Sequence, residues 1–336
     1  MIARTPAGWQ PESWQRELAE GYRLPAELLA ALGLDAAMHA DVDFDPHNPF
    51  PQRVPLSYVQ RMRRGDPSDP LLRQVLPLLS ERAPSPAGYG RDPVGDLDAA
   101  LAPGVLHKYQ GRALLIATGA CAVHCRYCFR RHFPYADAPG ASEWKSALAT
   151  LTDHKDVYEI ILSGGDPLAL TTHRLAALIE RITVLPQLRR LRLHTRLPVV
   201  LPARIDQALL TLLANTRLKT VMVIHANHAN EIDTQVRSAL VELATAGVTL
   251  LNQSVLLQGV NDDAAALAAL SEALFDAGVT PYYLHLLDRV EGSAHFEVPT
   301  HEALQIHAQL RALLPGYLVP RLVREEPGAP AKTPVF

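Results

Sequence analysis

The segment CAVHCRYC, residues 121–128, contains all three cysteines of the chain. Three thiols crowded into one stretch make no disulfide framework and read as a metal-binding or catalytic cluster. A structural zinc site closes with four ligands, and here only His124 or a distant histidine is on hand to complete it. An iron–sulfur cube takes one protein ligand per iron, so three cysteines leave one iron open. An open metal position is where a substrate binds and is activated. Inert buried cysteines are the plain alternative, which the clustering of all three argues against.

Other residues could join such chemistry. The chain has 27 arginines but only 5 lysines: Lys108, Lys145, Lys155, Lys219 and Lys332. Where arginine supplies ordinary positive charge, each lysine hints at a need for an amine. Within ILSGGDP, Gly164, Gly165 and Asp166 form a glycine-rich turn that is a weak signal alone. CRYCFRR offers a basic patch of the kind that binds RNA. In IHANHANE, His228, Asn230 and Glu231 imitate a metal site but read better as polar loop and helix-start residues.

These residues need elements to position them. Six short apolar or β-branched runs, at 112–118, 157–163, 188–195, 219–225, 248–257 and 280–287, alternate with helical patterns such as THRLAALIERI and EIDTQVRSALVELATAG. Ser142 is a candidate N-cap for ASEWKSALATLTDH; VNDDAAALAALSEALFDAG starts at Asn261 or Asp262 and stops at Gly278. A βα series implies a parallel sheet with active residues at the carboxyl ends of its strands, where the cysteine loop falls. Six units are too few for a closed eight-stranded barrel, so the expected fold is α/β, a partial (β/α)6 barrel. The division is a mainly helical region and linker over 1–100, the barrel over 101–300, and a C-terminal helix and tail over 301–336. Residues 83–104, rich in Pro, Gly and Asp, read as an exposed connector.

Composition narrows the partners. Of 336 residues, 48% are hydrophobic and 20% charged, with a net charge of −3, which fits a small-molecule partner better than nucleic acid. No stretch approaches the ~18 apolar residues of a membrane span, so no membrane partner and a cytoplasmic location are expected.

Cys-x3-Cys-x2-Cys followed by Phe129, after the first strand of such a series, resembles the signature of the radical S-adenosylmethionine superfamily. Longer stretches, among them LHKYQGRALL, CRYCFRRHFPY, LLNQSVLLQGVND and PGAPAKTPV, resemble the lysine 2,3-aminomutase family from roughly residue 50 onward. Within it the words CAVHCRYCFRRHFPYA and LNQSVLL look most like the shorter bacterial branch that serves elongation factor P.

The resemblance implies a [4Fe-4S] cluster on Cys121, Cys125 and Cys128, with S-adenosylmethionine on the open iron and beside Gly164, Gly165, Asp166, His225 and Gln253. It implies pyridoxal 5′-phosphate held by Lys332, its ring and phosphate met by Tyr109 and Arg112, with Lys108 at a basic position of the family. Arg130 would grip the substrate carboxylate, while Asp288 and Glu325 would receive the ε-ammonium of L-lysine. Glu325, with Glu326 beside it, stands where the better-known members have aspartate. The implied reaction turns (S)-α-lysine into β-lysine, the R enantiomer, for attachment to elongation factor P by a separate lysyl ligase, with flavodoxin or ferredoxin as electron donor. Other readings are a 2,3-aminomutase for glutamate or arginine, and a non-catalytic iron–sulfur or RNA-binding module.

Overall fold

The computed structural model describes residues 13–135 and 144–336. Four short helices lead the chain: α1 (Ser13–Ala19), α2 (Pro25–Ala31), α3 (Leu56–Val59) and α4 (Pro70–Arg73). Their apolar faces are not a separate core. Trp14, Leu28, Leu29, Tyr58, Leu71 and Leu72 are buried in the same cluster as the strands and helices of the barrel. SYVQRMRR, which reads as helical, contributes only its first three residues to a helix.

One ten-stranded sheet follows, with its strands in chain order. It comprises β1 (Ala100–Ala102), β2 (Val105–Tyr109), β3 (Arg112–Thr118), β4 (Glu159–Gly164), β5 (Arg190–Thr195), β6 (Lys219–Ile224), β7 (Thr249–Val255), β8 (Thr280–His285), β9 (Arg321–Arg324) and β10 (Thr333–Pro334). Neighbours from β3 to β9 pair in parallel, while β1, β2 and β10 add antiparallel edges. All six expected strands are present. The tail extends the parallel series by β9, a four-residue strand too short to stand out in the sequence.

The crossovers carry α5 (Trp144–Asp153), α6 (Thr172–Thr183), α7 (Leu197–Val200), α8 (Gln207–Asn215), α9 (Thr234–Thr245) and α10 (Ala264–Asp276); α11 (Thr300–Leu313) precedes β9. The proposed cap Ser142 lies outside the described residues. Helix α10 is capped by Asp263, whose carboxylate accepts from Ala266 N at 2.8 Å, one residue beyond the expected start. Asn261 is instead fully buried and ties the strand-end loops through Asn227 O and Val255 O.

Period two along the strands decides what faces the barrel interior. In β5, Leu191 and Leu193 are buried toward the surrounding layer, while Arg192 and His194 lie on the other face and line the central cavity, which Thr195 joins at the strand's end. In β7 the same alternation turns Gln253 and Val255 to that cavity. The connector departs from its expected exposure: Val94 and Asp96 are buried, and Gly90 bridges to Val290.

Candidate active site

A cavity of about 500 Å³ opens at the carboxyl ends of the strands, and every residue carried over from the family resemblance lines it. Its wall begins with the cysteine loop. Gly165 N donates to Thr118 O at 2.7 Å and Asp166 N to Ala120 O at 2.8 Å, latching the end of β4 to the start of that loop. A Cβ on Gly164 would lie 2.5 Å from Thr118 O, and one on Gly165 would lie 2.4 Å from Ala120 O. Glycine is needed at both positions because the backbones approach too closely for a side chain. Asp166 is also internally engaged: its oxygens accept from Thr195 Oγ1 at 2.7 Å, Arg196 N at 2.7 Å and Leu168 N at 3.0 Å. Burial raises its carboxyl to about 6 despite those bonds.

The three thiols are free and partly buried. Burial and neighbouring thiols push Cys121 well up and Cys128 to about 11. Arg196 donates to Cys125 Sγ at 2.7 Å. Thiols desolvated in this way ionise when a cation is supplied, so the donor set suits a bound metal cluster. Among the described residues no group of three His, Cys, Asp or Glu side chains is placed to hold a single metal ion.

The basic run beside them does not face solvent. Arg126 and Arg131 both bond Glu81, at 2.5 and 2.7 Å, and both stack on Phe50. Arg130 bonds Asp96 Oδ2 through Nε at 2.7 Å and Ser163 Oγ through Nη1 at 2.9 Å. CRYCFRR is therefore an internal scaffold and not an RNA-binding patch. Likewise, His228 caps Asn230 N at 3.1 Å, and buried Glu231 pairs with Arg196 at 2.9 Å, so neither is a separate metal site.

The opposite wall comes from the hairpin and the tail. β2 and β3 meet at Tyr109 and Arg112, whose guanidinium stacks 4.6 Å over the Tyr109 ring and has no carboxylate partner among the described residues. Such a cation is free to meet a phosphate. Tyr109 OH donates to Glu325 Oε1 at 2.5 Å, and Lys332 Nζ donates to Glu325 Oε2 at 2.6 Å. Burial works against the Glu325 anion, but Lys332, Tyr109 and Lys108 outweigh it and hold the carboxyl below its usual range. Asp288 is raised to about 7, by burial first and with Glu325 adding repulsion.

Three histidines line the remaining wall, and all are kept neutral. Burial, Arg196 and Lys332 bring His225 down to about 3, and Gln253 Nε2 lies 3.0 Å from its Nε2. Burial lowers His194 and His285 well below the ordinary histidine value, and the Nε2 of each is buried without a partner. Asp96, His194 and His285 are site residues that sequence reasoning missed. The one available signal for Asp96 was two cations, Lys108 and Arg130, that needed a counter-charge once the fold brought them together.

An open parallel barrel with three thiols at its carboxyl end is the architecture of a radical S-adenosylmethionine protein, and residues 110–189 match the model of a 4Fe-4S single cluster domain. The chain is 50% identical to the L-lysine 2,3-aminomutase of Escherichia coli (strain K12), over 96% of this chain and 94% of that protein. It is 46% identical to the enzyme of that name from Haemophilus influenzae, over 99% and 98%. With the one from Clostridium subterminale the identity is 35%, over 83% and 67%. The chain belongs to the L-lysine 2,3-aminomutase family. A radical S-adenosylmethionine methyltransferase, TsrM, from Kitasatospora setae aligns with a TM-score of 0.40 at 12% identity over 85% of this chain and 53% of that one, too remote to bear on function.

Proposed function

We propose that the protein is an L-lysine 2,3-aminomutase, an isomerase that moves the amino group of L-lysine from C2 to C3. The observation that carries this reading is an ammonium on a four-carbon stem already seated in the site: Lys332 Nζ, 2.6 Å from Glu325. That is the chemistry of the substrate's own ε-ammonium, and half-buried Asp288 adds a second carboxylate to the same cavity. An arriving ammonium would pull the Asp288 proton off by stabilising its anion. Glutamate would instead place a carboxylate against Glu325, at a repulsive cost.

The remaining residues divide the cavity by chemistry. Cys121, Cys125 and Cys128 would hold a [4Fe-4S] cluster, with S-adenosylmethionine between it and Gly164, Gly165, Asp166, His225 and Gln253. Tyr109, Arg112 and Lys332 would hold pyridoxal phosphate, and Arg130 would fix the substrate carboxylate. When bound, these groups supply a carbon radical and a carrier for the migrating nitrogen. Neutral His194, His225 and His285 keep this wall free of added positive charge, so the carboxylates can select the ammonium. A cytoplasmic location, the R product, a flavodoxin or ferredoxin donor and delivery to elongation factor P through its ligase belong to the same proposal. Among the described residues no helix is long and apolar enough to cross a membrane.

The test is an anaerobic assay of reconstituted protein with L-lysine and S-adenosylmethionine, read by chiral chromatography. β-Lysine in the R form is expected. Its absence from protein fully loaded with iron and pyridoxal would remove the reading.

A further inference from the structure

Five charged side chains along the cavity alternate in sign: Arg130, Asp96, Lys108, Glu325 and Lys332. Successive contacts measure 2.7, 2.6, 3.7 and 2.6 Å. Arg130 and Glu325 are the proposed grips for the two ends of the substrate, but the pair between them has no part in that assignment. We propose that Asp96 is a positioning residue which, with Lys108, fixes the separation of Arg130 from Glu325 and thereby sets the length of amino acid the cavity accepts. The inference rests on the aminomutase reading and deepens it.

The turn that delivers Asp96 is built with care for its position. Asp92 accepts from Asp96 N and Leu97 N, both at 2.9 Å. Gly95 sits at φ +65°, and a Cβ there would meet Pro327 Cβ at 3.1 Å. Pro327 lies two residues beyond Glu325, so the Asp96 turn abuts the segment that carries the ammonium site.

Both Asp96 oxygens are committed, one to each cation, and the residue is 2% exposed. Asp96 and Ser163 occupy Nε and Nη1 of Arg130, leaving Nη2 without a partner among the described residues. Asp96 Oδ1 and Val94 O, at 2.6 and 2.7 Å, hold Lys108 Nζ at 3.7 Å from Glu325 Oε1, short of a direct hydrogen bond. An uncharged residue at 96 would release Lys108 toward Glu325, where it would compete with the substrate ammonium. It would also free Arg130 to shift along the cavity.

The experiment compares L-lysine with L-ornithine, one methylene shorter, in cofactor-loaded wild-type and Asp96→Asn protein. The variant is expected to raise KM for lysine about tenfold with a smaller change in kcat, and to narrow the lysine-to-ornithine ratio of kcat/KM about tenfold. A purely structural role would lower kcat through the active fraction and leave KM and the ratio unchanged. If Asp96→Asn does not fold, Gly95→Ala decides: its Cβ presses the turn against Pro327 and should narrow the ratio by about threefold. A folded, loaded Asp96→Asn that keeps the wild-type ratio, or Gly95→Ala that does so where the first variant is not recovered, overturns the inference. Wild-type protein that converts no lysine is a separate outcome and removes the functional reading itself.

Discussion

The two ends of the cavity are assembled in opposite ways. The cysteine end comes from eight consecutive residues on one βα loop, latched by the neighbouring Gly-Gly-Asp turn. The substrate end draws Asp96, Lys108, Arg130, Asp288, Glu325 and Lys332 from the connector, the hairpin, the cysteine loop, the loop after β8 and the tail. A local segment can specify its own donor set. A distributed site needs every contributing element in place, so its selectivity depends on packing far from the substrate.

The sharpest test of this division is a crossed pair of variants. Cys128→Ala and Lys332→Ala should each lower turnover by about 10³-fold or more. Their other readouts should separate: the cysteine variant loses iron and sulfide but keeps pyridoxal absorbance, and the lysine variant does the reverse. Loss of both groups from either variant would show that the two ends are not independent.

A smaller effect belongs to the ammonium site. Asp288→Asn should reduce kcat/KM for lysine by about 10- to 100-fold, the worth of a charged hydrogen bond in a buried site. With its carboxyl raised to about 7, Asp288 is protonated below that pH and anionic above it. KM for lysine should therefore climb as pH falls through about 7, and Asp288→Asn should flatten that limb. An unchanged limb in the variant would assign it to another group.

Glu325→Asp withdraws the carboxylate by one methylene from Tyr109 and Lys332 and should cost about fivefold in kcat/KM for lysine. Full activity would show that the position tolerates either acid. Smallest of all, Asp263→Ala removes the cap of α10 without touching either end of the cavity. It should lower stability by about 1 kcal/mol, read by denaturant unfolding, and leave kcat/KM unaltered.

How much of this was legible follows from the same contrast. The six barrel strands could be read because each is a compact apolar run between helix patterns, and β3 begins and ends at the expected residues 112 and 118. The cap of α10 was misplaced by one residue because Asn261, Asp262 and Asp263 all suit an N-terminus, and only packing sends Asn261 inward. The connector looked exposed because Pro, Gly and Asp dominate it. Its turn nevertheless buries Asp96, since the two cations it meets are supplied by β2 and the cysteine loop.

By itself the sequence determined the thiol spacing, the strand order and the scarce lysine near the tail, because each is written in neighbouring residues. Tertiary structure alone decided that Lys332 meets Glu325, that the arginines of CRYCFRR turn inward, and that Asp96 stands between Arg130 and Lys108. The physical reason is that a buried charge is tolerated only beside a partner, and these partners lie 7 to 50 residues apart or share no local pattern.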